Sequence, residues 1–196
     1  MNEAGAVSPA KLPLAIRAGL SLALLTAAQA LALVAAAGTF AWPAAWIFLG
    51  VFVACVIAVT TELIGRDPTL VARRIRGGPT VEVERSQKLI SALAAISYFG
   101  IFIVGGLDHR FGWLPLPTWI EPIGDVMVAV GFVGVWRVFK ENSYAASTIG
   151  VEQGQRVISS GPYALVRHPM YTSSILMLAG MPLAPGSAVA VLPYGL

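Results

Sequence analysis

The chain has 196 residues, of which 57% are hydrophobic and only 12% are charged. A soluble domain of this length cannot bury so much apolar side chain, so the composition excludes a soluble protein and predicts an integral membrane protein. The net charge is +3, but the basic residues stand between the apolar runs, so we expect membrane lipids as contacts and no nucleic-acid partner.

The first half of the chain predicts three membrane-spanning helices. Apolar runs of about the length that a bilayer requires cover Leu14–Ala37, residues 44–64 and residues 89–107. The segment 65–88 between the second and third runs is polar and rich in arginine. Within it, Asp67 and Pro68 suit the cap and the first position of a helix. We therefore predict a short interfacial helix over about residues 68–76.

The second half predicts two further spans and the start of another. The run 123–138 forms the fourth predicted span and residues 169–184 form the fifth, with a polar connector at 140–167 between them. The final run 187–196 is too short to cross a bilayer. The predicted fold is an all-α, integral-membrane helical bundle of five transmembrane helices plus the start of a further one.

The distribution of lysine and arginine predicts the orientation. With the N-terminus in the cytoplasm, twelve basic residues fall on the cytoplasmic side and only Arg110, in a predicted loop with Asp108 and His109, falls on the other side. This asymmetry places the connector and the start of the fifth span in the cytosol. The compact, alanine-rich composition indicates a bacterial protein, so we expect the bacterial inner membrane.

One polar stretch stands directly before the fifth span. It comprises Ser160, Gly161, Pro162, Tyr163, Ala164, Leu165, Val166, Arg167, His168, Pro169, Met170 and Tyr171. Its Gly-Pro pair predicts a turn, and Pro169 suits the first position of a helix. Such a helix directs its free N–H groups toward Arg167 and His168, which together form an anion site. The two tyrosines offer aromatic faces to a cation such as a sulfonium, although each residue alone is also typical of a membrane-interface anchor.

The string from Gly161 to Tyr171 resembles the signature of the isoprenylcysteine carboxyl methyltransferase family, whose members are integral-membrane methyltransferases that use S-adenosylmethionine. The phospholipid methyltransferases carry a related pattern. Weaker matches lie upstream, at residues 107–113, 141–144 and 154–158. The resemblance implies methyl transfer at the cytoplasmic membrane face to a small or amphiphilic, lipid-like acceptor, on an oxygen, nitrogen or sulfur atom.

The resemblance also implies which residues bind S-adenosylmethionine. They are Gln155, Arg156, Val157, Ile158, Tyr163, Arg167, His168, Pro169, Met170 and Tyr171. The segment 155–158 would approach the cofactor through backbone groups, and His168 with the helix N-terminus would hold the methionine carboxylate. A tyrosine would face the adenine or the sulfonium. Arg167 would orient the carboxylate or anchor the helix, and both roles stay open.

No other catalytic arrangement is visible in the sequence. The two histidines, His109 and His168, are predicted on opposite sides of the membrane, and Cys55 is the only cysteine, so we predict no metal site. There is no nucleophile beside a base and no glycine-rich dinucleotide loop. Methyl transfer needs none of these because the enzyme chiefly aligns donor and acceptor. We therefore assign no catalytic side chain.

The family resemblance breaks off at the end of the chain. Family members continue with a second hairpin helix and an acidic motif, whereas this sequence ends at Leu196. We expect a single domain over 1–196 that is truncated at its C-terminus, with the acidic part of the cofactor site beyond it. The nearest acids, Glu141 and Glu152, have no motif that places them at the site. Two alternatives remain: an NADPH-dependent membrane reductase of the sterol type, and a non-catalytic membrane interaction protein.

Overall fold

The computed structural model describes residues 12–75, 84–143 and 158–195, and within these ranges the chain is helical. The helices are α1 (Leu14–Ala37), α2 (Pro43–Arg66), α3 (Pro68–Ile75), α4 (Arg85–Phe111), α5 (Glu121–Glu141), α6 (Pro162–Leu165) and α7 (Pro169–Leu183). A 3₁₀ turn, Thr118–Ile120, leads into α5, and a longer 3₁₀ segment, Val189–Gly195, follows α7. The predicted all-helical class is confirmed.

Among the residues that the structure describes, four segments are long and apolar enough to cross a membrane: α1, α2, α4 and the continuous stretch Thr118–Glu141 that contains α5. The predicted count of five is not confirmed. The helix α7 has 15 residues, which at the helical rise span about 22 Å against a hydrocarbon core of about 30 Å. The described residues therefore contain four candidate spans by length and composition, and α7 packs against the bundle.

Two predicted boundaries are wrong in the same direction. The residues Asp108, His109 and Arg110, which the sequence predicts in a loop, lie in the last turn of α4, because the helix continues to Phe111 and is capped by Gly112. That glycine has φ 63° and donates its N–H to the carbonyl of Asp108 at 2.7 Å, which is a left-handed cap that glycine adopts without steric cost. The fourth span is likewise longer than the predicted 123–138.

A short helix is confirmed at the predicted position, as α3. Asp67 caps it as predicted: its Oδ1 accepts the N–H of Leu70 at 3.0 Å and the hydroxyl of Thr69 at 2.6 Å. These bonds satisfy donors that the first turn of a helix leaves free. The predicted last residue, Arg76, lies outside the described residues.

The spans form a bundle with two distinct ends. At one end α1, α4 and α7 begin, α2 and α5 finish, and α3 lies across them; we call this end the basic face. There Arg74 of α3 lies over the ring of Phe139 of α5, with its Cζ 4.5 Å from the ring centroid. At the opposite face His109 of α4 stacks on Trp42, which precedes α2, at 4.2 Å.

Helices α5 and α7 approach each other backbone to backbone. A Cβ added at Gly131 would lie 2.5 Å from Cβ of Met177 and 2.8 Å from its Cα. At Gly134 an added Cβ would meet a side chain instead, 2.9 Å from Cβ of Ser173. Only glycine permits such contact, and this pattern of small residues is typical of close helix packing in membranes. We call these contacts of Gly131 and Gly134 the glycine seam. It fixes the position of the first residue of α7 relative to the last residue of α5.

Hydrogen bonds of Asp108, which we call the polar tie, connect two segments at the opposite face. Asp108 is 1% exposed; its Oδ1 accepts the N–H of Leu114 at 2.7 Å and its Oδ2 accepts the hydroxyl of Ser187 at 2.5 Å. An isolated antiparallel bridge joins Pro115 to Ser187. The tie holds the segment after α7 against the end of α4, 79 positions earlier in the chain.

Candidate functional site

A turn followed by the start of a helix organises the polar motif at the basic face. Gly161 has φ 56° and ψ −130°, a conformation that L-residues rarely adopt, and Pro162 then begins the single turn of α6. His168 precedes α7 and Pro169 is its first residue. The sequence prediction that a helix begins at Pro169 is therefore confirmed.

A carboxylate stands against this turn. The side chain of Glu141, the last residue of α5, packs so closely on Gly161 that an added Cβ there would lie 2.7 Å from Cγ of Glu141. The hydroxyl of Ser160 donates to Oε2 of Glu141 at 3.0 Å. Sequence reasoning did not place Glu141 at the motif, because 19 positions separate it from Ser160. The other acid considered, Glu152, lies outside the described residues.

The two tyrosines of the motif are held in place by different contacts. The hydroxyl of Tyr163 accepts a hydrogen bond from Nδ2 of Asn142 at 2.9 Å, which ties α6 to the end of α5. The ring of Tyr171 stacks on His168 with centroids 5.5 Å apart, and Tyr171 is 66% exposed. The structure thus brings His168 and Tyr171 together at the start of α7, and it fixes Tyr163 on the side of α5.

The other residues that are predicted to contact the cofactor differ in their burial. Arg167 is exposed, Pro169 is buried, and Met170 and Ile158 are partly buried. Met170 packs against the cluster of apolar residues below α3. Gln155, Arg156 and Val157 lie outside the described residues. All of these cofactor contacts remain a prediction.

A large apolar cavity lies inside the bundle and reaches the motif. Its volume is about 550 Å³, and its walls come from α1, α2, α5 and α7, with α3 at the basic face and Tyr98 of α4 further in. Both Ala15 and Leu25 of α1 line it, and ten residues at the helical rise correspond to a length of about 15 Å. Met170 also lines it, so the cavity and the motif share a residue.

Arg74 is the charged residue among those that line this cavity. Burial beside Phe139 lowers the pKa of Arg74, although a guanidinium remains protonated in proteins. The helix that carries it is fixed by Asp67. Burial disfavours the charged form of Asp67, but the hydrogen bonds from Thr69, Leu70 and Ser143 and the charge of Arg73 outweigh burial and lower the pKa of that carboxyl.

A second, smaller groove of about 330 Å³ lies between α2 and α5. At its rim Glu62 accepts the indole N–H of Trp136 at 3.0 Å and pairs with Arg66 at 3.5 Å. The ammonium group of Lys140 lies 4.5 Å from the centroid of the Trp136 ring. Of these contacts, the hydrogen bond between Trp136 and Glu62 joins the two helices near the basic face.

Within the described parts of the chain, no group of three or more histidine, cysteine, aspartate or glutamate side chains is arranged to hold a metal ion. The two histidines lie at opposite faces, His109 on Trp42 and His168 beside Tyr171. The chemistry open to the site is therefore that of its helix N-terminus, its aromatic rings, its carboxylate and the apolar cavity.

Comparison with known proteins agrees with the motif. Residues 120–195 match the phospholipid methyltransferase family. The match covers less than half of the chain, and it contains α5, α6 and α7, that is, both sides of the motif and the glycine seam. The resemblance drawn from the sequence is therefore confirmed for this part of the chain, and a methyltransferase-type domain is indicated.

One curated relative is the cobalt-zinc-cadmium resistance protein CzcN of Cupriavidus metallidurans. It is 30% identical to this chain over 64 residues, which are 33% of this chain and 28% of the relative. The matched stretch thus spans less than a third of the relative's length. No solved structure shows significant similarity to the chain.

Proposed function

We propose that the chain is an S-adenosylmethionine-dependent methyltransferase of the bacterial inner membrane, with an amphiphilic methyl acceptor. The observation that carries this proposal is that Met170 belongs both to the methyltransferase-like motif and to the lining of the apolar cavity. A cytosolic donor at the motif and a membrane-borne acceptor in the cavity would meet at this residue. In-line methyl transfer requires such an arrangement.

The residues at the motif fit the charges of the donor. When bound, S-adenosylmethionine supplies an electrophilic methyl group on a sulfonium, and it carries a carboxylate and an ammonium group. The N-terminus of α7, with the exposed His168 and Arg167 beside it, binds the carboxylate, because free N–H groups and the helix dipole favour an anion there. Glu141 pairs with the ammonium group, and Tyr163 or Tyr171 faces the sulfonium.

Glu141 changes the expectation about the acidic part of the site. No sequence motif places an acid near the basic residues 156–168, so the sequence alone leaves the cationic end of the donor without a partner. With Glu141 held by Ser160 at 3.0 Å and packed on Gly161, a partner for the cationic end of the donor lies within this chain. We therefore propose that residues 1–196 bind the donor.

The orientation proposed for this activity follows from the basic residues. The basic face carries Arg66, Arg73, Arg74, Lys140 and Arg167, and the positive-inside bias puts it in the cytoplasm. S-adenosylmethionine is made there, so the motif would face the pool of its donor.

The test is binding of S-adenosylmethionine to the purified chain by calorimetry, with NADPH as the competing cofactor. We expect His168→Ala and Glu141→Gln each to weaken binding by about 5- to 150-fold, the equivalent of leaving a charged partner unpaired. The matched controls are His109→Ala and Glu121→Gln, which change the same residue types at the opposite face. Binding of NADPH instead, or equal losses in test and control variants, would overturn the proposal.

A further inference from the structure

Tyr98, at the inner end of the apolar cavity, belongs to a polar pair whose other member, Gln29, is buried behind it. Tyr98 lines the cavity, and its hydroxyl oxygen accepts a hydrogen bond from Nε2 of Gln29 at 2.6 Å. The pair lies deep in the bundle: Gln29 is 0% exposed, and Tyr98 is thirteen residues from the start of α4, about 20 Å at the helical rise. With a hydrocarbon core of about 30 Å, this depth is well inside the membrane.

Hydrogen-bonding capacity at the pair exceeds what the described residues use. The Gln29 amide has two N–H donors and Tyr98 has one O–H donor, and the bond between them uses a single donor. The Oε1 atom of Gln29 and the hydroxyl of Thr26, three residues earlier on the same helix, are buried and have no partner among the residues that the structure describes. Rotating the amide by 180° exchanges its oxygen and nitrogen and still leaves one of them unpaired.

Unpaired polar groups at this depth are costly. No bulk water reaches the hydrocarbon core, so a polar group there is expected to be satisfied by protein, by an ordered water or by a ligand. The Tyr98 ring is held edge-on between Phe99 and Phe102, at 5.4 and 5.2 Å. The hydroxyl is thus fixed in place next to the cavity, as a recognition group must be.

We propose that Tyr98, positioned by Gln29, forms a specificity subsite that recognises a hydroxyl or other oxygen on the chain of the amphiphile in the cavity. A ligand oxygen would accept a hydrogen bond from the O–H of Tyr98. Arg74 lines the same cavity at the basic face, the cavity extends about 15 Å along α1 by the helical rise, and a guanidinium suits a carboxylate. The ligand class is therefore an acidic amphiphile whose chain carries an oxygen near its inner end.

This inference deepens the proposed function by naming the class of acceptor, and it rests on that function only for the reaction itself. Binding can be measured without methyl transfer. The probes are dodecanoic acid and 12-hydroxydodecanoic acid, which share the carboxylate and the chain and differ in the terminal hydroxyl. Each is titrated into the chain in lipid nanodiscs by calorimetry. Because partitioning of each acid into lipid is the same for every variant, it cancels when affinity ratios are compared.

The wild-type protein should bind the hydroxy acid at least as tightly as the plain acid. Tyr98→Phe should reduce that affinity ratio by about tenfold, the equivalent of one hydrogen bond. If the single variant folds poorly because Gln29 loses its partner, the double variant Gln29→Met/Tyr98→Phe removes both polar groups and should show the same loss. The control is Tyr194→Phe, whose hydroxyl donates to the carbonyl of Leu178 and which should keep the wild-type ratio.

Three outcomes would overturn the inference: neither acid binds, the ratio is unchanged in the Tyr98 variants, or Tyr194→Phe lowers it equally. A fall in the ratio without S-adenosylmethionine binding would uphold the subsite and reject the methyltransferase function. Binding of S-adenosylmethionine together with an unchanged affinity ratio would support the methyltransferase function and reject the subsite. The two proposals therefore fail separately.

Discussion

The glycine seam between α5 and α7 predicts that Gly131→Ala destabilises the bundle. An added Cβ would lie 2.5 Å from Cβ of Met177 and 2.8 Å from its backbone N and Cα, whereas carbon atoms in optimal contact are about 3.5–4.0 Å apart. Since two of these atoms belong to a helix backbone, no side-chain rotation relieves the overlap. The helices must move apart by about 1 Å, the difference between these two separations.

Comparison with a second glycine gives the size of the expected loss of stability. Gly50 of α2 is also helical, and an added Cβ there meets nothing within 4 Å. Both substitutions gain the same helix propensity, about 1 kcal/mol, so the difference between Gly50→Ala and Gly131→Ala isolates the overpacking. That term is about 1–3 kcal/mol. We expect Gly50→Ala to be neutral or stabilising, and Gly131→Ala to be the less stable variant by this amount.

The assay is reversible unfolding in mixed micelles, in which the fraction of sodium dodecyl sulfate is raised and tryptophan fluorescence is followed. Binding of S-adenosylmethionine is measured on the same samples, because a shift of α7 also moves His168 away from Glu141. Equal unfolding midpoints for the two variants would refute the argument, since they would mean that α5 and α7 are not in backbone contact at Gly131.

Three further predictions concern the basic face and its orientation. Gly161→Ala should weaken S-adenosylmethionine binding about tenfold, because its Cβ displaces Glu141 and its φ is positive; Gly112→Ala, also at positive φ but in open space, should not. Asp67→Ala should lower stability by about 1 kcal/mol through loss of the helix cap, as measured by the same unfolding assay. The pKa of the Asp67 carboxyl is lowered in the folded protein. Its contribution to folding stability is therefore present above the unfolded pKa of about 3.9 and is lost as the pH falls through the folded pKa. An alanine variant whose stability depends on acid pH as the wild type does would contradict this. Single cysteines at Trp113 and Arg167, in a chain without the native cysteine, should react with an impermeant thiol reagent from opposite sides of the membrane, and labelling from one side would remove the topology.

Local signals in the sequence were sufficient for the elements at the basic face. The cap at Asp67 and the proline at the start of α7 are each decided by backbone chemistry within a few residues, so they could be predicted. The end of α4 could not. Asp108 was assigned to a loop because it is charged, but its charge is accommodated in a helix by the N–H of Leu114 and the hydroxyl of Ser187, and the second of these partners is distant in the chain.

The candidate site was predicted only in part for the same reason. The motif itself is contiguous and visible, whereas Glu141 meets Ser160 and Gly161 only after α5 and α7 have packed through the glycine seam. The cavity likewise depends on tertiary packing. Its lining comes from six helices, so no single stretch of sequence predicts it. The Gly161-Pro162 pair is the one local signal, and such a pair alone does not distinguish the positive φ of Gly161 from an ordinary turn.

The tie at the opposite face has a consequence for biosynthesis. Asp108 is made 79 residues before Ser187, and at about 5–20 residues per second the ribosome needs about 4–16 seconds to cover that interval. During this time the carboxylate has the nearby Leu114 N–H as a partner but lacks the hydroxyl that closes it off. The carboxylate of Asp108 therefore gains its second partner only when the segment after α7 has been made and docks, and that docking seals this side of the protein.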